Sequence, residues 1–121
     1  MESILQSIKK LLGVQSDYTV FDDDIIIHIN TVFATLNQLN IGPSTGFFIT
    51  DSTSVWSDYI DESNLQMIKT YIYLKVKLIF DPPATSVVVE SYNRTISEIE
   101  WRLYVEGDKN NIIIAPPIEE I

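Results

Sequence analysis

The stretch LQMIKTYIYLKVKLIFDPP, residues 65–83, decides the fold. Leu65, Ile68, Ile72, Val76 and Ile79 recur at steps of three and four residues, and Met67, Tyr71, Leu74 and Leu78 form a second line beside them. Only the line through Gln66, Lys69, Tyr73 and Lys77 is polar or amphipathic. This spacing predicts a helix, and a helix apolar around most of its circumference is either central and buried or faces another subunit. Pro82-Pro83 ends it, because proline has no amide proton and pushes the preceding residue out of helical geometry.

The flanking segments supply helices to pack on it. On the C-terminal side, Val89, Tyr92, Ile96, Ile99 and Leu103 keep alternating three- and four-residue steps, predicting a helix from about Ala84 to Val105 with a coiled-coil-like seam. Its opposite face carries Glu90, Arg94, Ser97 and Glu98, and Glu98 precedes Arg102 by four residues, the favourable order for an ion pair. On the N-terminal side, Asp22-Asp23-Asp24 opens a helix whose stripe is Ile25, Ile29, Val32, Leu36 and Leu39, widened by Ile26 and Phe33, with Gly42-Pro43 as its stop. A short first helix carries Ile4, Leu5, Ile8, Leu11 and Leu12, with Ser3 as N-cap, Gly13 as terminator, and Lys9 and Lys10 at the end where the helix dipole favours cations.

Residues 43–61 read differently. Gly46–Thr50 and Ser54–Trp56 are short β-prone runs around Asp51-Ser52-Thr53, which predicts a short β-hairpin or an ordered loop with Trp56 as its structural anchor. Beyond Gly107, Asp108–Asn111 reads as a polar link to the apolar run Ile112-Ile113-Ile114-Ala115-Pro116-Pro117-Ile118, whose prolines exclude a helix. The expected architecture is mainly α. It is a small bundle of about four helices over residues 1–107, with the hairpin or loop between helices two and three and an extended apolar C-terminal tail over 108–121. Pro82, Pro83 and Trp101 join Trp56 as structural residues.

Composition narrows the function. The 121 residues carry 8 Lys+Arg against 17 Asp+Glu, a formal net charge of −9, so wrapping of nucleic acid by clustered cations is disfavoured. The absence of Cys excludes a disulfide scaffold, a thiolate metal site and a cysteine nucleophile, and a single His excludes a multi-histidine metal site. No run approaches the roughly 20 apolar residues of a membrane span. The N-terminus has no basic segment ahead of an apolar one, so no membrane association is expected and the chain should remain in the cytosol of the cell that makes it. No Lys or Arg lies between Lys10 and Lys69, an interval holding Asp17, Asp22, Asp23, Asp24, Asp51, Asp58, Asp61 and Glu62. That half is either a solvated acidic surface or one built to keep polyanions from sticking.

No feature makes a convincing catalytic, cofactor or metal site. Asp22-Asp23-Asp24 could attract a hard cation, but consecutive residues point apart at a helix start, and capping with dipole compensation explains the run. His28 lacks a nucleophile partner. Gly42–Gly46 lacks the Lys-Ser/Thr of a phosphate loop. The aromatic residues, without interleaved cations, read as packing and subunit contacts. The most informative oddity is the tail. Ile112, Ile113, Ile114, Pro116, Pro117 and Ile118 form an apolar segment able to dock on a neighbouring chain, against the plain alternatives of a disordered end or one folded back on its own helices.

The order of these segments resembles the tailed-phage head–tail connector family, also called head-completion or adaptor proteins. The resemblance is carried by SILQSIKKLLG at Ser3–Gly13, by Phe21–Pro43 with its Asp-rich start and INTVFATLNQLNIGP, by Phe47–Trp56, by VKLIFDPP at Val76–Pro83, and by IEWRL at Ile99–Leu103. It implies a helical subunit of a ring, commonly twelvefold, beneath the portal. Such a ring extends the DNA channel, helps retain packaged DNA and offers a platform to the tail or the next adaptor, without enzymatic activity or cofactor. The implied partners are further copies of the chain, the portal protein, and the tail or next adaptor. DNA would pass through without specific binding. The implied location is the virion at the head–tail interface, with the host cytoplasm before assembly. On this reading Asp22, Asp23 and Asp24, or Asp58, Asp61 and Glu62, face the channel or a partner, and the tail binds an adjacent subunit or the portal. The rival reading is a small acidic regulator of phage or host that mimics DNA and binds a basic protein.

Overall fold

The computed structural model describes residues 2–60 and 64–111, with side chains as far as Val105. Asp61, Glu62 and the tail Ile112–Ile118 lie outside the described residues. Four helices follow in order: α1 (Ile4–Leu12), α2 (Asp22–Gln38), α3 (Leu65–Phe80) and α4 (Ser86–Asn111). The mainly α bundle expected from the periodicities is what forms.

The apolar girth of α3 makes it the centre. It packs against α1, α2 and α4, with Ile68, Tyr71, Ile72 and Val76 inaccessible to solvent. Burying each aliphatic side chain of that set contributes about 1.5–3 kcal/mol. From α2 come Ile25, Ile29, Val32, Phe33 and Leu36, from α1 Ile4, Leu5, Ile8 and Leu12, and from α4 Ile96, Ile99 and Leu103. The short connection after Phe80 turns α4 back along α3. There the Tyr71 hydroxyl donates to Glu100 Oε2 at 2.8 Å. Burial, reinforced by Glu100, pushes the Tyr71 pKa upward, so the phenol keeps the proton it donates.

Helix ends follow local chemistry. Ser3 Oγ accepts from the Gln6 amide at 3.2 Å, the expected N-cap, and Gly13 closes α1 at φ 84°. The stop of α2 comes earlier than Gly42-Pro43. Asn40 takes the left-handed conformation at φ 65°, and the Ile41 amide returns to the Leu36 carbonyl at 3.0 Å. This is a Schellman closure with Asn in place of Gly, sealed by the contact of buried Ile41 with the core. The fourth helix begins after Thr85, whose Oγ1 accepts from the Val88 amide at 3.4 Å. It continues through Gly107 to Asn111, so the Asp108–Asn111 backbone is helical where a polar link was expected. A single glycine costs a helix only about 1 kcal/mol relative to alanine.

After α2, residues 39–60 form an ordered loop with one short 3₁₀ turn, Trp56–Asp58. The hairpin alternative does not form, and an isolated bridge between Ser3 and Val55 is the sole β pairing among the described residues. Side chains satisfy this backbone in place of a strand partner. Asn30 on α2 both donates to the Ile49 carbonyl (2.9 Å) and accepts from the Ile49 amide (2.8 Å). Asp51 accepts from the Thr53 amide and hydroxyl, which holds its carboxyl below the usual carboxylate range.

Candidate functional site

One end of the bundle carries an open apolar groove, and its construction starts from a buried cation. Lys9 on α1 is inaccessible to solvent. Its Nζ donates to the carbonyls of Ser16 (3.1 Å) and Tyr18 (2.9 Å) and pairs with Asp22 Oδ1 at 2.8 Å. A buried ammonium is tolerable only with such a set of partners. The lysine thereby straps the α1–α2 connection onto the first turn of α2 and fixes where Tyr18 and Phe21 stand.

Those two rings continue into α3. Tyr18 and Phe21 have centroids 5.7 Å apart, and Phe21 meets Phe80 edge-on at 5.3 Å. Tyr18 is 47 % exposed and Phe21 38 %, while Phe80 is half-buried against the core, so the ladder runs from the core out to solvent. With Leu12 and Val14 it lines a groove of about 710 Å³, bordered by Asp17 and Asp81. A second depression shares Gly13, Val14 and Gln15 with it and carries Lys10 on its wall. Among the described residues Lys10 has no ion-pair partner.

Among the described residues, the candidate acids Asp22, Asp23, Asp24 and Asp58 do not gather into a group that could hold a metal ion. Asp22 is mostly covered and engaged by Lys9, whereas Asp23 and Asp24 are exposed at the start of α2. Asp58 is exposed and its Oδ2 accepts from the Val55 amide at 3.0 Å. Among the described residues no three His, Asp or Glu side chains stand together as a metal site, and no helix is long and apolar enough to cross a membrane. His28 is half-buried on α2.

Of the structural candidates, Trp56 is buried. Its Nε1 donates to Ser7 Oγ at 2.8 Å, which in turn donates to the Ile4 carbonyl, and the Lys69 ammonium lies 5.6 Å from its ring. Pro82 and Pro83 form the connection between α3 and α4. Trp101 is 47 % exposed and stacks on Tyr104 with centroids 6.0 Å apart. It stands on the outer face of α4 with Arg94 and Glu98. Glu98 and Arg102 pair at 2.9 Å, as their spacing predicts.

Sequence reasoning missed Lys9, which it assigned to the helix dipole, and Asn30. The signal for Asn30 was an amide lying between Ile29 and Val32 in the apolar part of α2, where a polar group needs a partner. The groove had no sequence signal, because Tyr18 and Phe80 are 62 positions apart. A family model described as phage connector protein matches residues 4–110. No curated protein and no solved structure matches the chain.

Proposed function

The chain belongs to the phage connector protein family, a structural family, and on that premise we propose that it is the subunit of a ring that docks under the portal, extends the DNA channel and joins the head to the tail. The observation that carries this reading is the family match across residues 4–110 of a 121-residue chain. The charge map supports it. A channel for DNA needs a lining that does not grip phosphate, and the interval between Lys10 and Lys69 carries no cation. Asp23, Asp24 and Asp58 are exposed and free to face such a channel or a partner, and Asp61 and Glu62 follow Asp58 closely in sequence.

A ring requires head-to-tail contacts between unlike surfaces. The apolar groove and the tail Ile112–Ile118 are two such surfaces, and the portal and the tail machinery or next adaptor are the further partners. The chain would act without cofactor or catalysis, in the host cytoplasm until it joins the virion. Residues 1–107 would be the assembling body, extended by α4 through residue 111, and residues 112–121 would be the docking arm.

Light scattering of the purified chain, alone and mixed with the portal of the same phage, tests the proposal. A mass of roughly 166 kDa, twelve copies of 13.8 kDa, or comigration with portal is the expected result. A monomer that ignores portal and instead captures a basic DNA-binding protein would replace this reading with DNA mimicry.

A further inference from the structure

We infer that the aromatic groove formed by Leu12, Tyr18, Phe21 and Phe80 receives residues 112–118 of a neighbouring copy of the chain. This deepens the ring proposal and rests on it for its biological setting, although the contact itself is a property of the isolated protein.

Three observations select this occupant. The first is chemical fit. Residues 112–118 are Ile-Ile-Ile-Ala-Pro-Pro-Ile, without a charge. A Pro-Pro step is pre-set for the extended polyproline conformation, and aromatic-lined grooves bind that conformation at low entropic cost. The Tyr18–Phe21–Phe80 ladder, exposed at Tyr18 and Phe21 and half-buried at Phe80, is such a lining.

The second is reach. The groove lies at the C-terminal end of α3, where Phe80 stands and where the connection to α4 begins. The 26 residues of α4 carry the chain about 39 Å away from that end at about 1.5 Å per residue. Seven extended residues span about 25 Å at most. The tail therefore falls short of the groove of its own chain and can fill that of a neighbour. Repetition of this one-directional contact generates a ring.

The third is charge. The tail is followed by Glu119-Glu120, and the groove is acidic on one border, at Asp17 and Asp81. Lys10 lies beyond the shared Gly13–Gln15 wall. Like-charge repulsion at the first border and attraction at Lys10 give the docked segment one direction.

The chain has no cysteine, so engineered thiols report contacts cleanly. Full-length Gln15→Cys, at the groove wall, and full-length Ile118→Cys are mixed in equal amounts and oxidised. The mixed disulfide is quantified by mass, beside a control pairing of Ile118→Cys with Asn93→Cys on the exposed outer side of α4. The expected result is at least a fivefold excess of the Gln15–Ile118 product over the control. Adding Tyr18→Ser to the Gln15→Cys chain, with folding verified by circular dichroism, is expected to remove that excess. Light scattering on the same samples separates the two claims. A ring without the excess overturns the groove assignment and leaves the ring standing. The excess without a ring supports the groove and counts against the ring. Absence of both overturns both. Disulfide confined to a single chain carrying both cysteines would place the tail in its own groove and overturn the inference.

Discussion

At the scale of single residues, the arrangement depends on polar side chains buried where the apolar pattern gives no notice of them. Lys9 holds the carbonyls of Ser16 and Tyr18 and the carboxylate of Asp22. Lys9→Met keeps the bulk of the stem but leaves that set unpaired. The expected cost is about 2–4 kcal/mol, below the full value for a buried pair because Asp22 retains some contact with water. Urea denaturation checks it, and a loss under 0.5 kcal/mol would show that the strap does not carry stability (roughly the effect of an ordinary surface substitution). Trp56 was legible as an anchor because a large aromatic ring in a polar loop has few other uses. Lys9 was not legible, because its partner at Asp22 lies thirteen positions away and i, i+4 reasoning does not reach it. Asp22 was read with Asp23 and Asp24 as one acidic group, but only the latter two remain exposed.

At the scale of elements, periodicity placed all four helices, because each buries one face and the spacing of apolar residues records that face. Ends were less legible. Gly42-Pro43 is a strong stop signal, but Asn40 tolerates the left-handed region well enough to end α2 first. Asn40→Gly should therefore leave stability unchanged or slightly improved, while Asn40→Ala should cost about 1 kcal/mol. Paired thermal melts decide it: equal melting temperatures for the two variants would mean that the conformation at residue 40 does not control the terminus. The β-prone runs 46–50 and 54–56 do not pair with each other because Asn30 and the N-terminal segment take up their backbone groups. The amides of Ile4 and Trp56 bond the carbonyls of Ser54 and Glu2, respectively. Gly42 remains necessary for a different reason: a Cβ there would lie 2.5 Å from the Tyr59 ring.

At the scale of the whole molecule, family membership was legible because the order of segments spans most of the chain, whereas the groove arises only when α1, α2 and α3 meet. Charge supplies a test at this scale. Copies carrying −9 each repel one another, so assembly through apolar contacts should strengthen with salt. Raising sodium chloride from about 0.05 to about 0.5 M shortens the screening length from roughly 14 to roughly 4 Å, and the weight-average mass of the free chain should rise. A complex between a DNA mimic and a basic protein would weaken over the same interval. A ring that dissociates with added salt would contradict an apolar interface.

The central position of α3 also has a consequence during synthesis. The N-terminal helices α1 and α2 leave the ribosome before the element on which both are packed. Until residue 80 has emerged, their apolar stripes have little to cover them, and the nascent chain is a client for holdase chaperones rather than a partly folded domain. Ribosome-bound chains arrested with residues 1–60 exposed should be degraded rapidly by protease, and those with residues 1–105 exposed should resist. Protection of the shorter chain would show that α1 and α2 form a stable unit without α3.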